Sequence, residues 1–143
     1  MAHNLYKIAD DLVTILGAEF PTFTVARAGA QLHHVDQVYS DLPAIWVSPG
    51  DMDRDGEPRS QNFMLDQIWN VTLVLSAAEP VPGMDAGAVL YQIITRLDGL
   101  RTETGTHVGI LKFSGVSAPE HDRGAVQYPA AFTTRLPVIN KRT

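Results

Sequence analysis

The chain has no cysteine, no block of basic residues and no long apolar run. Without cysteine there can be no disulfides, thiolate metal sites or cysteine nucleophiles. No apolar stretch approaches the roughly 20 residues that a membrane-spanning helix needs. The formal net charge is −5, which argues against a broad phosphate-binding surface for nucleic acid. These absences exclude several classes of function without indicating one.

What is present is the composition of an ordinary folded protein. The chain has 143 residues, of which 45% are hydrophobic and 19% are charged. This length and balance are typical of one globular domain with a core of its own. We therefore expect a single domain spanning residues 1–143.

Two amphipathic helices are predicted from apolar residues that recur at three- and four-residue spacing. The first is expected to follow Asn4, a suitable N-cap, and to stop at Gly17. The second is expected to follow Asp85 and to stop at Gly99, with Leu100 packing back on the helix. The apolar stripes are Leu5, Ile8, Ala9, Leu12, Ile15 and Leu16 in the first helix and Ala86, Val89, Leu90, Ile93, Ile94 and Leu97 in the second.

Alternating and short apolar runs predict the strands. In the strongest of them, Trp69, Val71 and Leu73 share one face, while the other face is mixed in character. Pro129 and Pro137 suggest that the last strand is an edge or bulged strand. Because three strands follow one another without a long crossover, we expect an α+β fold: a single mostly antiparallel β-sheet with two amphipathic helices packed on it, as a two-layer sandwich. The predicted strands cover residues 20–28, 43–49, 66–78, 105–117 and 130–138.

Residues 50–65 are rich in Gly, Pro, Asp and Arg and predict a long loop, which in a compact domain is often functional. Asp51, Asp53 and Asp55 match the first half of a calcium-binding loop. The twelfth position of that loop is Asn62, which cannot supply the bidentate carboxylate. A calcium-binding module or metal-dependent enzyme using these aspartates is an alternative; a solvated charged loop is the simpler interpretation.

No motif typical of catalysis or nucleotide binding occurs in the sequence. There is no G-x-S-x-G elbow, no Walker loop and no G-x-G-x-x-G fingerprint. We therefore expect no enzymatic activity. A ligand-binding α+β domain is a further alternative, although no residue pattern selects a ligand. The profile suits a subunit that works through its surfaces.

Four segments, taken in order, carry a resemblance to a known family. They are Leu42-Pro43-Ala44-Ile45-Trp46-Val47-Ser48-Pro49 before the polar stretch, then residues 68–75, 88–100 and 128–136, with Arg101 following Gly99-Leu100. In order, size and character they resemble the tail terminator (tail completion) proteins of long-tailed bacteriophages, including the small terminator family of contractile, Mu-like phages. The similarity covers most of the chain.

The resemblance implies a small sheet flanked by helices, without enzymatic activity or a cofactor. It implies a homo-oligomer, a hexameric ring, that caps the tail tube, stops its polymerisation and provides the head–tail joining surface. The implied partners are the tail tube protein, a head completion or neck protein and, in contractile phages, the tail sheath protein, with no membrane involved. DNA would only pass through the lumen. The implied location is the virion tail or neck, after assembly in the host cytoplasm.

The charged residues of the 50–65 segment are our candidates for a subunit or tail-tube interface. Charges at such an interface set register more than affinity. No family motif fixes them, and another neck or head–tail completion protein is an alternative of the same class. The candidate interface residues are Asp51, Asp53, Arg54, Asp55 and Arg59.

Overall fold

The computed structural model describes residues 6–27, 42–55, 62–77, 85–104 and 107–139. Two helices and eight strands lie in this part of the chain. In chain order they are α1 (Lys7–Glu19), β1 (Thr24–Arg27), β2 (Ala44–Asp55), β3 (Asn62–Ser76), α2 (Ala86–Leu97), β4 (Arg101–Thr104), β5 (His107–Ile110), β6 (Lys112–Val116), β7 (Glu120–Asp122) and β8 (Ala125–Ile139).

Six of the strands form one mixed sheet in which β3 is central. The order is β1-β2-β3-β8-β6, and β7 also pairs with β8. The pair β3–β8 is antiparallel from Asn62↔Ile139 to Ser76↔Ala125 without a register shift. The pair β1–β2 is parallel, and every other pair is antiparallel. The α+β class and the mostly antiparallel sheet are confirmed, whereas the expected single sheet becomes a six-stranded sheet plus a separate β4–β5 hairpin.

The hydrophobic core lies between the two helices and one face of the sheet, which we call the inner face. Trp69 and Phe132 are the largest fully buried side chains there. Burying a large apolar side chain stabilises a fold by about 1.5–3 kcal/mol. Both predicted helical stripes supply core residues: Ile8, Ala9, Leu12 and Leu16 from α1 and Ile93 and Leu97 from α2. At 13 and 12 residues, neither described helix is long and apolar enough to cross a membrane.

The ends of α2 agree with the prediction, and the end of α1 does not. Asp85 accepts a hydrogen bond from the backbone N–H of Gly87 at 2.8 Å, and Gly99 has a φ of 83°, the left-handed conformation that ends many helices. In contrast, α1 continues through Gly17 to Glu19. The helix extends two residues past Gly17 because the backbone N–H of Phe20 bonds the Leu16 carbonyl at 2.8 Å and both side chains are buried.

The start of α1 has no side-chain cap. The helix begins at Lys7 with Tyr6 in the N-cap position, and no Tyr6 side-chain bond satisfies the first turn. The predicted N-cap, Asn4, lies outside the described residues. Tyr6 instead packs its ring edge-on to Trp69, with the ring centroids 6.3 Å apart.

The predicted strand over 105–117 is divided in two at Leu111. The Leu111 N–H donates to the Leu100 carbonyl, and its own carbonyl accepts from the Gly99 N–H, each at 2.8 Å. These bonds tie the chain to the end of α2 and separate β5 from β6. The short strand β7 is not among the predicted strands, and it pairs with β8.

The prolines of β8 predicted an edge or bulged strand; β8 instead pairs with β3 along its whole length, and both prolines lie outside the stretches of β8 that pair with β6 or β7 on its other side. The Pro129 carbonyl accepts from the Ser117 N–H at 3.0 Å, so this residue directs its backbone away from β3. Pro137 is eight residues on in an unshifted register and therefore points the same way. Pro129 lies between the pairings of β6 and β7, and Pro137 lies beyond Thr133, where β6 pairing ends. Neither proline therefore removes a ladder bond to β3.

The strands β2, β3 and β8 run side by side over two regions of different character. We call residues 44–49, 68–76 and 125–133 the base and residues 50–55, 62–67 and 134–139 the distal part. The base contributes Trp69, Val71 and Phe132 to the core, all fully buried. In the distal part, Gln67 and Leu136 on the inner face are still buried, whereas Asp53 and Arg135 on the outer face are exposed.

Candidate functional site

The prediction of a loop over residues 50–65 is wrong, because most of this segment is paired strand. Residues 44–55 form β2, and β3 already begins at Asn62. The two strands pair out to Asp55↔Met64. Strand pairing on both sides of β3 outweighs the low strand propensity of Gly, Pro and Asp. Of the candidate interface residues, Asp51, Asp53 and Arg54 join Asp55 in β2, while Arg59 lies outside the described residues.

A bulge in β2 decides which way its charged residues face. Pro49 pairs with Trp69 and Met52 pairs with Gln67, so two residues of β2 lie where β3 has one. The extra residue reverses the odd–even alternation along β2. Met52 consequently lies on the inner face, where the buried Gln67 donates from Nε2 to the Met52 sulfur at 3.5 Å.

Beyond the bulge, the predicted charged residues separate onto different faces. Asp53 pairs with Asp66 on the outer face, opposite the helices. Arg54 lies on the inner side, with its guanidinium carbon 4.3 Å from the centroid of the Phe63 ring, in a cation–π contact. Asp51 lies in the bulge and is exposed. The structure therefore does not bring the predicted residues together as one cluster.

The calcium-loop alternative loses its geometric basis in residues 51–55. A calcium loop wraps its oxygen ligands around the ion from alternate positions of a turn. Here the aspartates follow an extended strand paired to β3. Among the residues that the structure describes, no group of three or more His, Asp or Glu could hold a metal ion.

A row of four charged residues crosses the outer face of the sheet, and we call it the charged row. Asp53 lies opposite Asp66, and Asp66 lies opposite Arg135. Arg135 donates from Nε to Asp66 Oδ1 at 2.8 Å, with both side chains about half exposed. Lys112 pairs with Thr133, two residues from Arg135 on the same face. From β2 to β6, the order of charges is therefore acid, acid, base, base.

The ends of the charged row have no counter-charge within the described part of the chain. Asp66 is neutralised by Arg135, but Asp53 has only the like charge of Asp66 opposite it. Like charges directly opposite each other in a sheet are destabilising. Neither Asp53 nor Lys112 makes an ion pair with any described residue.

The charged row borders an open groove of about 650 Å³. Two isoleucines, Ile68 and Ile110, also line it, and Ile110 is 51% exposed. The strand β5 lines one side of the groove and approaches β8 closely: a Cβ on Gly109 would lie 2.9 Å from the Arg135 carbonyl oxygen and 2.8 Å from Thr134 Oγ1. An apolar centre with a charged border is the composition of a protein contact surface.

The outer edge of β6 is partly covered by the chain after α2. The Phe113 N–H donates to Asp98 Oδ1 at 2.9 Å, and residues 99 and 100 bond both backbone groups of Leu111. An edge strand with occupied backbone groups is a poor template for another strand. A partner on this side would therefore contact side chains.

Sequence reasoning missed Asp66, Arg135 and Lys112 as site residues. They are separated by up to 69 positions along the chain, and only the register of β8 against β3 and β6 brings them into one row. The signal that was available is the single charge in each otherwise apolar or neutral strand, which marks Arg135 in β8 and Lys112 in β6.

Comparisons with known proteins identify relatives of the fold. No family model matches the sequence, and no curated protein matches it significantly. A chain in the virion of a native gene transfer agent (GTA) particle has the same fold, with a TM-score of 0.55 and 16% identity, covering 89% of this chain and 84% of that one. A second solved structure has a TM-score of 0.57 and 14% identity and covers 92% and 93% of the two chains. At these identities the similarity shows the fold alone.

Proposed function

We propose that this chain is a structural subunit of a virion and that it acts as a tail terminator, forming a ring on the end of the tail tube. The observation that carries the proposal is the fold shared with a chain of the gene transfer agent virion over 89% of the present chain. The resemblance of residues 42–49, 68–75, 88–100 and 128–136 to tail terminator proteins supports the finer assignment.

The proposed mechanism is the closure of a ring. In a ring, one patch of each subunit meets a different patch of its neighbour, and the angle between neighbours fixes their number. A closed hexamer on the tube end covers the surface on which the next tube ring would assemble, so polymerisation stops. The opposite surface of the hexamer then receives the head completion or neck protein, and its rim meets the sheath in contractile tails.

The proposed function needs no catalysis and no cofactor. It requires instead that DNA pass through the lumen without being held. A net charge of −5 suits that requirement, because a protein surface binds DNA without sequence preference mainly through Lys and Arg contacts with phosphates. The location implied is the neck of the virion, reached after assembly in the host cytoplasm.

Deletion of the gene from its phage or particle-producing genome tests the proposal. Negative-stain images of the mutant lysate should show tubes much longer than those of wild type, together with heads that lack tails. Supplying the wild-type chain from a plasmid should restore uniform, joined tails. Tubes of normal length that fail to join heads would assign the chain to a neck or head–tail completion role. Normal joined particles would overturn both.

A further inference from the structure

We infer that the charged row binds a second copy of this chain, head to tail, with the acidic side of one copy against the basic side of the next. The inference rests on the proposed ring and identifies the surface that closes it. Charge complementarity within a single row is the observation that selects a second copy as the partner, because each copy carries both the acids and the bases.

The charged row carries an uncompensated charge at each end. Asp66 has its counter-charge in Arg135 at 2.8 Å, which leaves Asp53 opposite a neutralised acid and Lys112 without an acidic partner among the residues that the structure describes. A sequence that breaks a local pairing rule often does so where another molecule completes the pair. Each end of the row carries the charge that the other end lacks.

The charged row is acidic on one side of the sheet and basic on the other. Its acids lie on β2 and β3 and its bases on β8 and β6, at opposite sides of the sheet. On the acidic side, β1 pairs only with Ala44–Val47, so no described strand flanks residues 50–55 of β2. A copy docked on the basic side therefore presents its own basic side to a third copy. Such a contact repeats in one direction and closes into a ring if the rotation permits.

The proposed contact between copies is made by side chains. Asp98 occupies the Phe113 N–H on the outer edge of β6, and residues 99–100 bond Leu111 just before this strand, so we expect the neighbour to contact side chains there and not to add a strand. Ile110, half exposed beside Lys112 in the groove, offers apolar area that a neighbour would bury. An apolar centre supplies affinity, and the surrounding charges select the partner and its register.

Charge exchange tests the inference with two exposed residues. Asp53→Lys and Lys112→Glu should each weaken self-association about tenfold or more, as measured by sedimentation velocity over a range of concentrations. The double variant Asp53→Lys/Lys112→Glu restores the opposite-charge pair across the contact and should return association to within about threefold of wild type. Arg96→Glu, an exposed charge change on α2 and therefore on the helix side of the sheet, is the matched control and should leave association unchanged.

Cysteine cross-linking gives a geometric test, because the chain has no cysteine of its own. Residues 53 and 112 are three strand spacings apart, about 14 Å, within one chain, and a disulfide needs Cα atoms within about 7 Å. An Asp53→Cys chain mixed with a Lys112→Cys chain should therefore form a disulfide dimer, while each variant alone should not. A dimer of Asp53→Cys with itself would show a symmetric contact and would overturn the head-to-tail arrangement.

The remaining outcomes separate this inference from the terminator function. The proposed contact is overturned if the single charge variants associate like wild type, or if the wild-type chain stays monomeric at every concentration. The deletion experiment measures tail length and therefore tests the terminator function separately. Charge variants that keep self-association but no longer cap the tail would also overturn the proposed contact, and they would assign the charged row to binding of the tail tube. If the deletion mutant makes short or normal tails while the charge variants still weaken self-association, only the terminator role is overturned.

Discussion

The base and the distal part of the sheet use the same three strands in opposite ways. In the base, β2 and β3 present Ile45, Val47 and Val71 to the helices, all fully buried. In the distal part, the same strands carry Asp53 and Asp66 on the outer face and a cation–π pair on the inner one. The unbroken pairing of β3 with β8 joins the two regions. Stability is thus concentrated where the helices pack, and the surface available for recognition lies where they contribute least.

The largest effect should come from the base. Trp69→Ala removes a fully buried ring from the centre of the core and should lower the free energy of unfolding by about 3–5 kcal/mol. Urea denaturation followed by circular dichroism measures it. Phe63→Ala, an aromatic truncation in the partly exposed distal part, is the comparison and should cost much less. If both variants lowered the free energy of unfolding equally, the base and the distal part would contribute equally to stability, and the difference between them would not hold.

A second effect should arise where β5 meets the distal part. Gly109→Ala places a Cβ 2.9 Å from the backbone oxygen of Arg135, which cannot move away as a flexible side chain would. The expected loss is about 1–3 kcal/mol by thermal and chemical unfolding. Gly17→Ala is the control, since nothing lies within 4 Å of its added Cβ inside α1, and it should stabilise by about 0.5–1 kcal/mol. A neutral Gly109→Ala would contradict the close approach.

A smaller effect should come from the cap of α2, which covers the base. Asp85→Ala removes the acceptor for the Gly87 N–H and should cost about 1 kcal/mol. The midpoint of denaturation measures the change. Asp85→Ser keeps an acceptor at this position and should recover most of the loss. If Ser and Ala were equally destabilising, the hydrogen bond would not be the cause.

The smallest effect on stability should come from the ion pair of the charged row. Arg135→Gln breaks the contact with Asp66, but both side chains are about half exposed. Exposed pairs of this kind contribute about 0.2–1 kcal/mol. A double-mutant cycle with Asp66→Asn isolates the coupling free energy of the pair. This coupling should fall further in 1 M salt, because the screening length there is about 3 Å. A coupling above 2 kcal/mol, on the order of a buried pair, would mean that the distal part is held as firmly as the base.

The elements with strong local signals could be predicted from the sequence. The stripe of α2, its cap at Asp85 and its stop at Gly99 are local features, and the structure confirms all three. The alternation of Trp69, Val71 and Leu73 is likewise a short-range pattern that assigned the core face of β3 correctly. In these cases residues a few positions apart decide the conformation.

The parts that failed depend on contacts between distant segments. Residues 50–55 have the composition of a loop, and they become strand because β3 pairs with them while it also pairs with β8. The position of Pro137 within a strand is acceptable only because its backbone points away from β3. The charged row required the register of three strand pairs, which periodicity within one segment does not determine.

The bulge after Pro49 has a consequence for chains of this fold that differ in length. It holds an extra residue of β2, and β2 pairs with β3 on both sides of it with the register shifted by one residue. Loss of one residue at positions 50–51 would straighten β2 and still leave Asp53 opposite Asp66. Loss of a residue farther along β2, with the bulge kept, would instead turn each later side chain of β2 to the other face. When sequences of this fold are aligned, a gap in this segment therefore belongs at positions 50–51.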